Sequence, residues 1–167
     1  MDIDHGEFRS LGADHLRLLL SWHGCIRRDH LLQAITSCGG HNHRTGLFDA
    51  ALIKDNHLAG VSTDALAGHV FGLLNRLGEL PVAPSFVEVE VDGLSQFERL
   101  LDVVGIDVIL LDNFSIADME AAVALRADRN LASKIALEAS GGITHDSLVP
   151  IAQTGVDRIS VGAITHS

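Results

Sequence analysis

The sequence predicts an α/β fold of parallel βα units, built either as a barrel or as an open doubly wound sheet. Apolar runs of strand character alternate with stretches of helical period five times in succession between Phe48 and Val161, which is the pattern of parallel βα units. Polar residues and glycines gather directly after each of those strands, where βα folds build their sites. With 167 residues and a hydrophobic fraction of 47%, the chain can bury one sizeable core, so a single main domain is expected.

Residues 1 to 12 are polar and show no period. Between 13 and 37 the apolar positions Leu16, Leu19 and Leu20, then Ile26, Leu31, Leu32 and Ile35, recur at helical intervals, which predicts a helical leader in two pieces broken at Gly24. Residues 48–53 then read as a strand and 63–77 as a helix, with Ser62 placed to cap it. Residues 86–91, FVEVEV, alternate strictly and predict a strand, followed by a helix over 94–103. A strand over 107–111 precedes a helix over 115–128 capped by Ser115. Residues 135–139, 144–154 and 158–161 complete the series as strand, helix and strand. No sequence repeat and no low-complexity tract stands out.

Charge narrows the function. Against 12 Lys and Arg stand 22 Asp and Glu, a net charge of -10, which argues against a general nucleic-acid or anionic-membrane surface. Any anion must therefore be held locally. Residues 39–57, GGHNHRTGLFDAALIKDNH, place three His, an Arg and a Lys around one apolar run and so predict an anion site. Cys25 and Cys38, without a secretory segment, fit a reducing, cytoplasmic setting. Residues 16–22 contain an Arg and follow acidic residues, unlike a signal peptide, and no stretch approaches the roughly 18 apolar residues of a membrane span. Cys25, Cys38, His41 and His43 match no recognised zinc spacing.

The strand ends supply the candidate chemistry. The first carries Lys54, Asp55, Asn56 and His57; the second strand contains Glu88 and Glu90; the third ends in Asp112 and Asn113. The fourth ends in Ser140, Gly141 and Gly142, the fifth in Gly162. Without a Cβ these glycines let backbone N–H groups approach a phosphate, although tight turns alone could also require them. Glu88 and Glu90 share a side of their strand by period two, so in a barrel Glu90 reaches the mouth and Glu88 lies deeper. Carboxylates beside a phosphate site suit Mg²⁺, ribose hydroxyls or developing positive charge; structural pairing with Lys54 or Arg44 is the plainer alternative.

The segments GGHNHRTGLFDAALIKDNH, VEVEVD, ILLDNF, LEASGGI and TGVDRISVGAITHS, in this order, resemble the carboxyl-terminal barrel of quinolinate phosphoribosyltransferases over residues 38–167. The resemblance implies a partial TIM-like barrel, with residues 1–37 as a leader outside the likeness. It implies phosphoribosyl transfer from phosphoribosyl pyrophosphate to quinolinate, giving nicotinate mononucleotide, CO₂ and pyrophosphate in NAD biosynthesis, with Mg²⁺ as cofactor. Lys54, Glu90 and Asp112 match the catalytic positions, with Glu90 and Asp112 also as metal contacts, directly or through water. His43, Arg44, Lys54, His57, Ser140, Gly141, Gly142, Gly162 and His166 match substrate-binding positions. Members also carry an amino-terminal α/β domain and an Arg-Lys-Thr-Thr-Pro-Gly type segment, and this sequence contains no Thr-Pro-Gly. An arc of five βα units leaves strand edges that the leader or a second copy would cover, so a homo-oligomer, a dimer, is expected. Two alternatives stay open: a catalytically inactive relative that binds phosphate ligands or partners, and a different βα enzyme of phosphorylated sugars.

Overall fold

The computed structural model of the protein describes residues 17–20, 41–42 and 50–161. Seven parallel strands form one sheet: β1 (Arg17–Leu20), β2 (His41–Asn42), β3 (Ala50–Ile53), β4 (Phe86–Val91), β5 (Val108–Asp112), β6 (Ala136–Ser140) and β7 (Arg158–Val161). Their spatial order is β2-β1-β7-β6-β5-β4-β3. From β3 to β7 each strand pairs with the next in sequence, through α2 (Thr63–Gly78), α3 (Leu94–Leu100), α4 (Ile116–Asp128) and α5 (His145–Gln153). A single turn of helix, α1 (Asp55–Leu58), follows β3.

The leader departs from expectation. Arg17–Leu20 forms a strand, not the helix that the leucine spacing suggested, and pairs with β7 from Arg17↔Arg158 to Leu20↔Val161. Leu16, Leu19 and Leu20 fit a helical template, yet so short an apolar run fits a buried strand equally well, and the free edge of β7 decides. His41–Asn42 likewise pairs with β1, an edge that no sequence period marked. The remainder of the leader lies outside the described residues.

The sheet has two chemically different faces. Ile53, Val89, Val91, Ile109, Leu111, Leu137, Ala139, Ile159 and Val161 join Leu66, Val70, Phe97, Leu100, Met119, Ala122, Leu148 and Ile151 of the helices in one apolar core. Among the described residues the helices therefore cover one face, as in a barrel, and the doubly wound alternative is set aside. On the opposite face Glu88, Leu110, Glu138 and Ser160 are also buried, as the inner face of a curled sheet would be. The edge strands β2 and β3 are consecutive in the chain, in keeping with that curvature.

Two of the βα units share a device that no sequence period reports. The carboxylate of Asp107 accepts a hydrogen bond from Val87 N at 2.8 Å, and that of Asp157 accepts one from Leu137 N at 2.7 Å. In both units the Asp backbone N–H returns a bond to the same strand residue's carbonyl at 3.0 Å. Each Asp follows a glycine with positive φ, Gly105 at 101° and Gly155 at 89°. The two aspartates thus fix where neighbouring strands begin, and so which residues arrive at the far end. Arg126, buried on α4, donates to Ile135 O at 2.9 Å and to Asp157. Ser115 caps α4 as expected, accepting from Asp118 N at 3.1 Å, whereas Ser62 occupies the N-cap of α2 without a side-chain bond.

Candidate active site

The register places the predicted residues at one mouth of the sheet. Leu52 pairs with Glu88, so Lys54, two residues on, stands level with Glu90. Glu90 pairs with Leu110, which puts Asp112 one layer higher on the same face, and Asp112 pairs directly with Ser140. Lys54, Glu90, Asp112 and Ser140 therefore follow one another around the carboxyl ends of β3 to β6. Glu88 lies one layer beneath Glu90 and is fully buried, in the deeper place foreseen for it.

Electrostatics tie these groups together. Burial, then the negative charge of Asp112, raises the Glu90 carboxyl above its ordinary 4.5; Lys54 opposes the rise, while Asp55 and Glu88 add to it. A cation arriving between Glu90 and Asp112 would relieve that repulsion. Among the described residues no group of three or more His, Cys, Asp and Glu is placed to hold a metal by itself. Two carboxylates still suit Mg²⁺, which keeps several waters and takes substrate phosphates as its remaining ligands.

Lys54 is the N-cap of α1, and its backbone N–H donates to His57 Nδ1 at 3.0 Å. Neutral His57 is thereby fixed with its proton on Nε2, and the His57 carbonyl lies 3.3 Å from His69 Nε2. His57, expected as a substrate contact, thus also orients the turn that presents Lys54.

The ends of β5 and β6 interlock. Asn113 donates through Nδ2 to Asp112 Oδ2 at 2.8 Å, and its backbone N–H donates to Ser140 O at 3.0 Å. Asn113 has φ 54°, Gly141 87° and Gly142 56°. A Cβ on Gly141 would meet Asn113 Oδ1 at 2.3 Å, whereas one on Gly142 would meet nothing within 4 Å among the described residues. The two glycines differ in purpose: Gly141 lets two strand ends approach, and Gly142 faces open space. Asn113 was not among the predicted site residues, and its direct succession to Asp112 was the available signal. His43, Arg44, Gly162 and His166 lie outside the described residues.

The family model for the C-terminal domain of quinolinate phosphoribosyl transferase matches residues 28–167. The chain belongs to this family. The nicotinate-nucleotide pyrophosphorylase (carboxylating) of Mycobacterium leprae is 43% identical over 136 residues, which cover 80% of this chain and 44% of that protein. The chloroplastic nicotinate-nucleotide pyrophosphorylase (carboxylating) of Oryza sativa is 36% identical over 166 residues, covering 93% of this chain and 40% of that one. So broad an alignment takes in part of residues 1–37, and the family model itself begins at residue 28, so the likeness starts earlier than residue 38. Among solved structures, the nicotinate-nucleotide pyrophosphorylase of Francisella tularensis superposes with a TM-score of 0.73 at 37% identity, over 96% of this chain and 53% of that one. The chain thus spans less than half the length of the curated relatives described here.

Proposed function

We propose that this chain carries the phosphoribosyl-transfer site of a carboxylating nicotinate-nucleotide pyrophosphorylase. The observation that carries the reading is the succession of a cation, two mutually repelling carboxylates and a glycine loop around one mouth of the sheet. Quinolinate is a dicarboxylate, so Lys54 supplies a charge to it, joined by His43 and Arg44, with His57 completing the turn. The phosphates of phosphoribosyl pyrophosphate lie against Ser140, Gly141 and Gly142, and Gly162 and His166 are assigned the same role from the sequence alone. Mg²⁺, when bound, neutralises the pyrophosphate leaving group; Glu90 and Asp112 would hold it, directly or through water.

The chemistry follows from the substrates' needs. The quinolinate nitrogen forms a bond to the ribose anomeric carbon as the bond to pyrophosphate breaks, and positive charge builds on the ribose ring. Glu90 and Asp112 stabilise that charge. Once alkylated, the pyridinium nitrogen stabilises the carbanion left at the neighbouring carbon when CO₂ departs, and a proton replaces the lost carboxylate. The protein's main tasks are binding and orientation. We further infer a homodimer in the cytoplasm; among the described residues no helix is long and apolar enough to cross a membrane.

The test is formation of nicotinate mononucleotide from quinolinate and phosphoribosyl pyrophosphate with Mg²⁺, using the purified chain beside Lys54→Ala and Glu90→Ala. Product above both variants supports the reading. Folded wild type that forms no more product than the variants rejects turnover. Calorimetric binding of phosphoribosyl pyrophosphate without turnover would instead make the chain a ligand-binding module.

A further inference from the structure

β6 and β7 stop pairing just below the site. Glu138 pairs with Arg158 and Ala139 with Ile159, and among the described residues the ladder between these strands extends no further. Yet both strands continue upward on their other sides: β6 pairs with β5 as far as Ser140, and β7 pairs with β1 as far as Val161. The seam between β6 and β7 therefore carries no further register pair toward the mouth among the described residues. A side-chain bond crosses it, from Ser160 Oγ to Glu138 Oε1. Ser160 is 8% exposed and Glu138 fully buried, so water does not compete for this bond. Arg158 Nη1 lies 3.9 Å from the second Glu138 oxygen, at the closed end of the seam.

We infer that the Ser160–Glu138 hydrogen bond is a positioning device that sets the spacing of β6 and β7 beneath the Ser140–Gly142 loop, and thereby that loop's affinity for phosphate groups. The inference rests on the reading of the loop as a phosphate site. Glu138 lies two residues below Ser140 on the same face, so a shift of its side chain or strand is passed directly to the loop. Both glycines of the loop have positive φ, and their backbone geometry depends on how the β6 end is held. Ser160 and Glu138 are assigned as positioning residues, acting through the loop.

The test compares Ser160→Thr with Ser160→Val, side chains of nearly equal size that differ in the hydroxyl, so that any packing disturbance is common to both. Loss of a hydrogen bond to a charged group should raise the KM or Kd for phosphoribosyl pyrophosphate about tenfold in Ser160→Val. Ser160→Thr should stay near wild type, and the KM for quinolinate should be unchanged in both. Backbone amides of Gly141 and Gly142 should also exchange faster in ligand-free Ser160→Val than in Ser160→Thr. Equal binding and exchange in the two variants would overturn the inference alone, as would a loss shared equally between both substrates. A folded wild-type chain that binds neither phosphoribosyl pyrophosphate nor inorganic phosphate would overturn the functional reading and this inference together.

Discussion

Gly141 sits so close to Asn113 that a methyl group on it would stand 2.3 Å from the Asn113 side-chain oxygen and 2.7 Å from its backbone nitrogen. The second contact is with backbone, so a side-chain rotation cannot relieve it. The positive φ of 87° adds a strain of its own. Gly141→Ala should therefore lose about 2–4 kcal/mol. Gly142→Ala, with a similar φ but open space, should lose only about 1 kcal/mol. Urea midpoints of the two variants check the order; equal losses would mean that the approach to Asn113 does not matter.

Asp157 and Asp107 do the same work at the starts of their strands, but Asp157 also holds the guanidinium of Arg126, which is only 5% exposed. Removing Asp157 strands a buried cation. Asp157→Ala should cost about 3–5 kcal/mol, and Asp107→Ala distinctly less, since it loses a backbone contact without orphaning a charge. Denaturant unfolding of both separates the two cases, and Arg126→Leu in the Asp157→Ala background should recover part of the loss.

How much of this was legible in the sequence depends on the range of each signal. The strict alternation of FVEVEV gave β4 with its bounds, and the carboxyl ends of the strands gave Lys54, Glu90, Asp112 and Ser140, because period and position are local properties. β1 was misread since three leucines in a row satisfy both helix and strand, and the edge of β7 that settles the matter lies far along the chain. The Asp107–Val87 and Asp157–Leu137 bonds and the Ser160–Glu138 bond each join residues about twenty positions apart. No periodicity reports such a pairing. Gly141 was legible as a turn or a phosphate contact, but its closeness to Asn113 depends on β5 and β6 being neighbours.

Glu90 gives a pH prediction. Its carboxyl titrates above 4.5 in the folded chain, so the folded state holds this proton more tightly than the unfolded state does. Below the unfolded value both states are protonated and the shift costs nothing. As pH rises through the folded value the carboxylate forms beside Asp112, and stability falls to a lower plateau. Glu90→Gln should therefore be more stable than wild type at pH 7, with the difference shrinking as pH falls through the folded value and gone below about 4. Thermal unfolding at both pH values checks the sign. Mg²⁺ with phosphoribosyl pyrophosphate should stabilise wild type more than Glu90→Gln at pH 7.

His57 tests whether the orientation of Lys54 matters apart from its charge. The Lys54 backbone N–H donates to His57 Nδ1 at 3.0 Å, an arrangement that requires an acceptor nitrogen there and leaves the neutral ring's proton on Nε2. Nitrogen chemical shifts of the labelled ring should report that tautomer. His57→Ala removes the acceptor from a helix of only four residues and leaves its first turn to the His57 N–Lys54 O and Asn56 N–Asp55 Oδ1 bonds. The Lys54 ammonium then samples more positions, and affinity for quinolinate should fall by about three- to tenfold, the effect of one lost hydrogen bond. His57→Asn, whose side-chain oxygen can accept the same N–H, should recover much of that loss. If His57 instead acted only through its own contact with substrate, Asn and Ala would be equally impaired, and the amide exchange of Lys54 would not change in either variant.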